Sequence, residues 1–209
     1  MHIENQEIEL KLHLQTEEDY QKLLTFSQED RVEILQTNIF YDTPAREVSS
    51  IGYALRLRLQ SDHGVITLKS TTKQVSDASV RMEIEEKIPY EKAMHIMQRG
   101  NIKNLDSAPI RKLKDQKINL ELLSPLLQFK NYRVKKNVEL NNKTYLFELD
   151  KTTYSDDTTI YELEIELKSQ NEINSAVADI QKLFQILDIE FIVMKKSKFE
   201  RALEIAGLL

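Results

Sequence analysis

The stretch Glu7-Ile8-Glu9-Leu10-Lys11-Leu12 alternates charged and apolar side chains with a period of two. Successive side chains of a strand point to opposite faces, so two carboxylates and an ammonium share one face while Ile8, Leu10 and Leu12 share the other. In a single strand this pattern describes an ordinary sheet with one wet face. Here the pattern recurs at Arg56 and Arg58, at Arg81, Glu83 and Glu85, at Glu148 and Asp150, and at Glu162, Glu164 and Glu166. So many charged faces in one chain imply an enclosed polar surface.

Working outward, the first strand gives way at Thr16, a helix cap followed by Glu17, Glu18 and Asp19, to an amphipathic helix through Ser27. A strand over 32–41 stops at Asp42-Thr43-Pro44. Alternating strands over 53–60 and 65–71 flank Ser61-Asp62-His63-Gly64 and form a hairpin. A strand over 80–88 closes at Pro89, before a helix over 91–99. Residues 102–123 are polar and partly helical. Strands return over 127–138, 143–153 and 159–168, with turns where Asn and Asp tolerate left-handed backbone. The period then changes: Ile173, Val177, Ile180, Phe184 and Leu187 form one helical stripe, and a last helix spans 198–206.

The chain has 209 residues, of which 41% are hydrophobic and 30% charged, enough for a substantial core in a soluble globular protein. No linker or low-complexity run divides it, so residues 1–209 read as a single domain. The net charge of -5 argues against general nucleic-acid binding. The absence of cysteine excludes disulfides and thiolate zinc sites. With neither a signal-peptide core nor an apolar run of membrane-spanning length, the expected location is cytoplasmic, away from membranes. The four histidines lack ligand spacing, and four glycines form no phosphate loop. Tyr20 and Phe26 read as helix packing.

About eight strands, mostly antiparallel, can close into a barrel and remove exposed edges. With the charged faces inward, the apolar set including Ile8, Leu10, Leu55, Leu57, Ile66, Leu68, Leu163 and Ile165 lies outside, where helices 16–27 and 171–189 cover it. The fold class is therefore α+β: an eight-stranded antiparallel barrel with a charged interior and a helical jacket. Its basic interior set is Lys11, Arg56, Arg58, Lys69, Arg81, Arg133 and Lys135. Arginine forks suit polyphosphate oxygens, and carboxylates beside them tolerate that ligand when hard divalent cations lie between. This is the composition of a metal–polyphosphate site.

In this succession of motifs the sequence resembles the CYTH superfamily, the triphosphate tunnel metalloenzymes. The resemblance is carried by Glu7-x-Glu9-x-Lys11, Tyr41-Asp42-Thr43-Pro44, Ala54-Leu55-Arg56-Leu57-Arg58, Thr67-Leu68-Lys69, Arg81-x-Glu83-x-Glu85, Glu164-Ile165-Glu166 and Lys196-Ser197-Lys198. It implies an eight-stranded tunnel that hydrolyses inorganic, thiamine or nucleoside triphosphates with Mg²⁺ or Mn²⁺; some members are adenylate cyclases. By resemblance, Glu7, Glu9 and Lys11 form the catalytic motif. Glu7, Glu9, Asp150, Glu164 and Glu166 are expected at the metal, with Glu162 an alternative to Glu166 by strand parity. Lys11, Arg56, Arg58, Lys69, Arg81, Arg133, Lys135 and Lys198 are expected to bind substrate.

The leading activity is hydrolysis of inorganic triphosphate, because no aromatic box for a base or thiazolium stands out. The alternatives are adenylate cyclisation and non-catalytic polyphosphate or nucleotide binding. Monomer or homodimer is left open by the sequence.

Overall fold

Strand β1 (His2–Leu14) is the hinge of the whole sheet, because its two halves pair with different neighbours. The computed structural model describes residues 2–27 and 30–209, with side chains described from Asn5 onward. After β1 come α1 (Glu17–Thr25), β2 (Arg31–Asp42), α2 (Glu47–Ser50), β3 (Tyr53–Leu59), β4 (His63–Ser70), β5 (Lys73–Val75), β6 (Ala78–Pro89) and α3 (Tyr90–Arg99). The second half contains α4 (Ala108–Asp115), β7 (Ser124–Leu140), β8 (Lys143–Thr153), β9 (Thr159–Glu166), α5 (Ile173–Leu187), β10 (Ile192–Val193) and α6 (Lys198–Ile205).

Every pairing is antiparallel, in the order β1-β9-β8-β7-β2-β3-β4-β6, and β6 returns to β1 with Glu7 opposite Arg81. Eight strands thus close on themselves, and the short β5 and β10 add to β6 and β1. Closure satisfies the backbone edges that an open sheet would leave. The expected barrel and strands are present, while β5, β10 and α2 are additional elements. The 102–123 segment resolves into α4 between two single turns of 3-10 helix.

The apolar outer faces are buried as the alternation requires. Ile8, Leu10, Leu12, Leu149, Leu163 and Ile165 pack under α1 and α5. Thr16 caps α1 reciprocally with Asp19, and Tyr20 and Leu23 are its buried residues. On α5, Ile173, Ile180, Leu183 and Phe184 face the sheet; truncating a buried aromatic such as Phe184 to Ala would cost about 3–5 kcal/mol. A second apolar cluster joins Leu55, Leu57, Ile66 and Leu68 to α3 and α4. There Gly64 is required by close approach, since an added Cβ would come within 2.3 Å of the Ala93 Cβ.

A third cluster closes one end of the barrel. Phe40, Phe129, Tyr154 and Ala202 are buried together, and Phe40 stacks on Phe199 with centroids 4.5 Å apart. The β2–β7 register shifts between Phe40 and Tyr41 at this end. No helix among the described residues is long and apolar enough to cross a membrane.

Candidate active site

The barrel encloses a cavity of about 440 Å³ whose walls are charged side chains from seven of the eight strands and from α6. Inward parity on β1 delivers Glu7, Glu9 and Lys11. Glu9 and Lys11 are buried, and the Lys11 ammonium lies 3.2 Å from Glu9 and 3.0 Å from Glu164. Burial first, and then the neighbouring Glu164, push the Glu9 carboxyl up to about 7. Burial opposes the charge of Lys11, but Glu164 and Glu9 outweigh it and raise its pKa.

Across the closure, Arg81 on β6 contacts Glu7 at 2.5 Å and Glu9 at 3.4 Å, and its Nε donates to Glu83 at 2.9 Å. Glu83 also binds Lys69 of β4. Burial first, and then Arg81, lower Lys69 to about 8. Glu83 and Glu85 therefore serve as ion-pair partners: Glu85 accepts from Thr67, which in turn accepts from Arg56.

The opposite wall is more tightly compensated. Arg133 of β7 bonds Asp150, Glu148 and Glu164. Lys198, at the start of α6, reaches Asp150 at 2.8 Å, Glu162 at 2.9 Å and also Glu164. Burial pulls Glu164 upward, but Lys11, Lys198 and Arg133 hold it well below the usual carboxylate range. Asp150 is lowered by the same balance, with Arg133 its chief counterweight to burial.

The arginine pair of β3 differs. Arg56 is buried and its nearest carboxylate, Glu85, is 4.0 Å away. Among the described residues, Arg58 has no carboxylate within ion-pair distance; its Nε donates to Asn38 Oδ1 at 2.9 Å. Burial first, and then the adjacent Arg56, lower Arg58 to about 9. These two guanidiniums carry the least compensated positive charge in the cavity.

Two expected positions sit at the margin. Lys135 is about one-third exposed, held by Glu148, and does not border the cavity. Glu166 borders it from an exposed position, its carboxyl raised by burial and then by Glu7 and Glu148. Glu162, the alternative to Glu166 on strand parity, takes the deep position, whereas Arg201, Gln36, Asn38, Asn131 and Thr152 carried no sequence signal. Glu162 is fully buried, paired across β8–β9 with Asp150, and bound by Arg201 of α6 at 2.7 Å. Gln36, Asn38, Asn131 and Thr152 form a buried amide and hydroxyl belt on the inner wall. No aromatic box for a base or thiazolium stands out in the sequence; in the structure Phe40, Phe129 and Phe199 line one end of the cavity. In the sequence they read as apolar residues, and only barrel closure brings Phe40 and Phe129 together with Phe199 of α6.

The family model described as the CYTH domain matches residues 5–202. The chain belongs to the CYTH family. Among solved structures, this CYTH protein is similar to HpAC1 from Hippeastrum, at 27% identity with a TM-score of 0.82 and 97% of each chain covered. That adenylyl cyclase-like protein is described as revealing a dominant triphosphatase activity. At the level of fold, it also resembles an adenylate cyclase-like protein from Bacillus halodurans, at 20% identity with a TM-score of 0.70, covering 94% of this chain and 97% of that one. PH1819 from Pyrococcus horikoshii shares 23% identity with a TM-score of 0.62, covering 94% and 99%. No curated protein matches the sequence.

The donor set of this CYTH chain fits a hard divalent cation. Asp150, Glu162 and Glu164 each offer a carboxylate oxygen, all within 4.8 Å of one another. Both Glu162 oxygens, Glu9 Oε1 and Glu7 Oε2 are buried and accept no hydrogen bond, being met only by cationic groups. Oxygen-only donors of this kind suit a hard divalent cation.

Proposed function

We propose that this CYTH protein hydrolyses a triphosphate with a divalent metal, Mg²⁺ or Mn²⁺, and that inorganic triphosphate is its substrate. The observation that carries this reading is the pair Arg56, buried with its nearest carboxylate 4.0 Å away, and Arg58, partly buried and, among the described residues, without a carboxylate at ion-pair distance, facing a carboxylate cluster across one cavity. A polyanionic chain of phosphates complements the first wall and its metal complements the second.

Asp150, Glu162 and Glu164 would hold the metal, with Glu7 and Glu9 as further carboxylates at the same cavity. When bound, the metal supplies charge neutralisation at phosphate oxygens and an acidified water. Arg56 and Arg58 clamp phosphate oxygens, and Lys11 and Lys69 add positive charge beside them. Arg81, held by Glu7, Glu9 and Glu83, fixes the geometry of the first strand's carboxylates. Because many of the lining charges are buried, these fixed charges act more strongly on the transferring phosphoryl group than they would in solution.

The aromatic end supports a small substrate. Phe40 and Phe129 are each only 4% exposed and spend their faces on Phe199, Tyr154 and each other. They close the cavity and leave little open ring surface for a base. The likeness to the Hippeastrum protein supports triphosphatase chemistry as well.

The test is a panel of inorganic triphosphate, thiamine triphosphate and ATP with Mg²⁺ or Mn²⁺, read for phosphate, pyrophosphate and cyclic nucleotide. The expected result is phosphate release, fastest from inorganic triphosphate and abolished by chelation. Cyclic nucleotide with pyrophosphate as the main products would replace hydrolysis with cyclisation, and binding without turnover would leave a non-catalytic polyphosphate receptor.

A further inference from the structure

Each of the main cavity cations except Arg58 has a carboxylate at 4.0 Å or less: Lys11 has Glu9 and Glu164, Arg56 has Glu85, Lys69 has Glu83, Arg81 has Glu7, Arg133 has Asp150, and Lys198 has Glu162. Arg58 is oriented by a neutral amide instead. Its Nε donates to Asn38 Oδ1 at 2.9 Å, and Asn38 is 1% exposed on the neighbouring strand, directly opposite Arg58 in register. The other half of that amide, Nδ2, is buried and makes no hydrogen bond within the protein.

A buried guanidinium without support costs free energy and explores several rotamers; one with a carboxylate partner is fixed but neutralised. An amide oxygen fixes the fork without cancelling its charge. Taking Arg58 as part of the triphosphate clamp proposed above, we infer that Asn38 is a positioning residue that aims the Arg58 guanidinium at the substrate while preserving its positive charge. The Nε contact leaves the terminal nitrogens Nη1 and Nη2 for phosphate oxygens, the arrangement a bidentate contact needs.

The inference turns on charge, so Asn38→Asp is the informative variant: nearly the same shape, with a carboxylate placed against Arg58. Protein stability should hold or rise without ligand, because the partly buried arginine gains a charged partner. The KM for inorganic triphosphate should rise roughly ten- to a hundredfold, the scale of one charge-assisted contact, with a smaller change in kcat. The thermal shift induced by inorganic triphosphate and Mg²⁺ should shrink in parallel. Because Asn38 acts through Arg58, the substitution should add little further loss in an Arg58→Ala background. Asn38→Ser, which retains a neutral oxygen on a shorter side chain, should retain more affinity than Asn38→Asp if it folds.

A stable Asn38→Asp protein with wild-type KM and ligand-induced shift would overturn the positioning role and leave Asn38 as a packing residue. A full additional loss in the Arg58→Ala background would overturn it too, by showing action independent of Arg58. If wild-type protein neither binds nor hydrolyses inorganic triphosphate, the functional reading fails at its root and takes the inference with it. That result is distinct from a failure of the Asn38 assignment alone.

Discussion

Arg133 grips Asp150 through two parallel contacts, Nε to Oδ1 at 2.7 Å and Nη2 to Oδ2 at 2.5 Å, on a carboxylate with no solvent exposure. Asn131 adds a third bond to the same carboxylate at 2.8 Å. A charge so placed depends on its partners, because stranding a buried ion costs more than an exposed pair contributes.

Arg133→Met should therefore lower unfolding free energy by about 3–5 kcal/mol. Arg58→Met, which removes a cation with no carboxylate partner, should lower it far less while still impairing triphosphate binding. Urea titrations of the two variants check this. Equal stability losses would contradict the division of the cavity into a compensated wall and a free one.

Glu7→Gln and Glu9→Gln keep side-chain shape while removing anionic donors from the first strand. Activity at limiting Mg²⁺ or Mn²⁺ should fall by roughly two orders of magnitude or more, while the fold survives. Metal titrations of turnover give the answer, and full activity of both variants at low metal would remove the first strand from the metal assignment.

Much of this arrangement is legible in the sequence, for a specific physical reason. Alternation at Glu7–Lys11, Leu55–Arg58 and Arg81–Glu85 fixes which side chains share a face, and a closed antiparallel barrel turns a shared face into a shared cavity. Depth along the barrel axis is another matter. Glu162, Glu164 and Glu166 have one parity, and only the pairing of Asp150 with Glu162 and of Glu148 with Glu164 shows that Glu162 is deep and Glu166 is at the rim. Asn38 and Gln36 were illegible because a neutral polar residue in a strand carries no charge signal. The aromatic end was hidden because Phe40, Phe129 and Phe199 come from three distant segments whose meeting depends on α6 folding back.

The Glu9 carboxyl gives a pH signature. Its folded pKa of about 7 lies above the ordinary 4.5, so between those values the folded state holds more protons than the unfolded state. Stability of metal-free protein contributed by this group is full below pH 4.5 and is lost as pH rises through about 7, by roughly 1–3 kcal/mol in total. Asp150 and Glu164, whose pKa values are lowered, contribute the opposite slope, confined to more acidic pH. Thermal melts in a chelator from pH 5 to 8 should show the decline in wild type and a flatter profile in Glu9→Gln. An identical decline in the variant would assign the slope to another group.

The aromatic end makes the last prediction, on substrate size. Phe199 stacks on Phe40 at an interplanar angle of 20°, and it is carried by the same helix that sends Lys198 and Arg201 to Glu162. Phe199→Ala removes one ring of the closure, and since Phe199 is only partly buried its packing loss should be about 1–3 kcal/mol, below that of a full core aromatic. If the rings are a plug, the shortened side chain opens room beside the phosphate-binding wall. The ratio of kcat/KM for ATP to that for inorganic triphosphate should then rise several-fold, while hydrolysis of inorganic triphosphate changes little as long as the Ser197–Glu200 capping box keeps α6 in place. If instead the rings stack on an organic group, the ratio should fall, because a base or thiazolium would lose its contact surface. Steady-state kinetics on both substrates, with a melt to confirm that α6 remains folded, separate the two. A fall in the ratio in a well-folded variant would replace inorganic triphosphate with an aromatic triphosphate ester as the substrate.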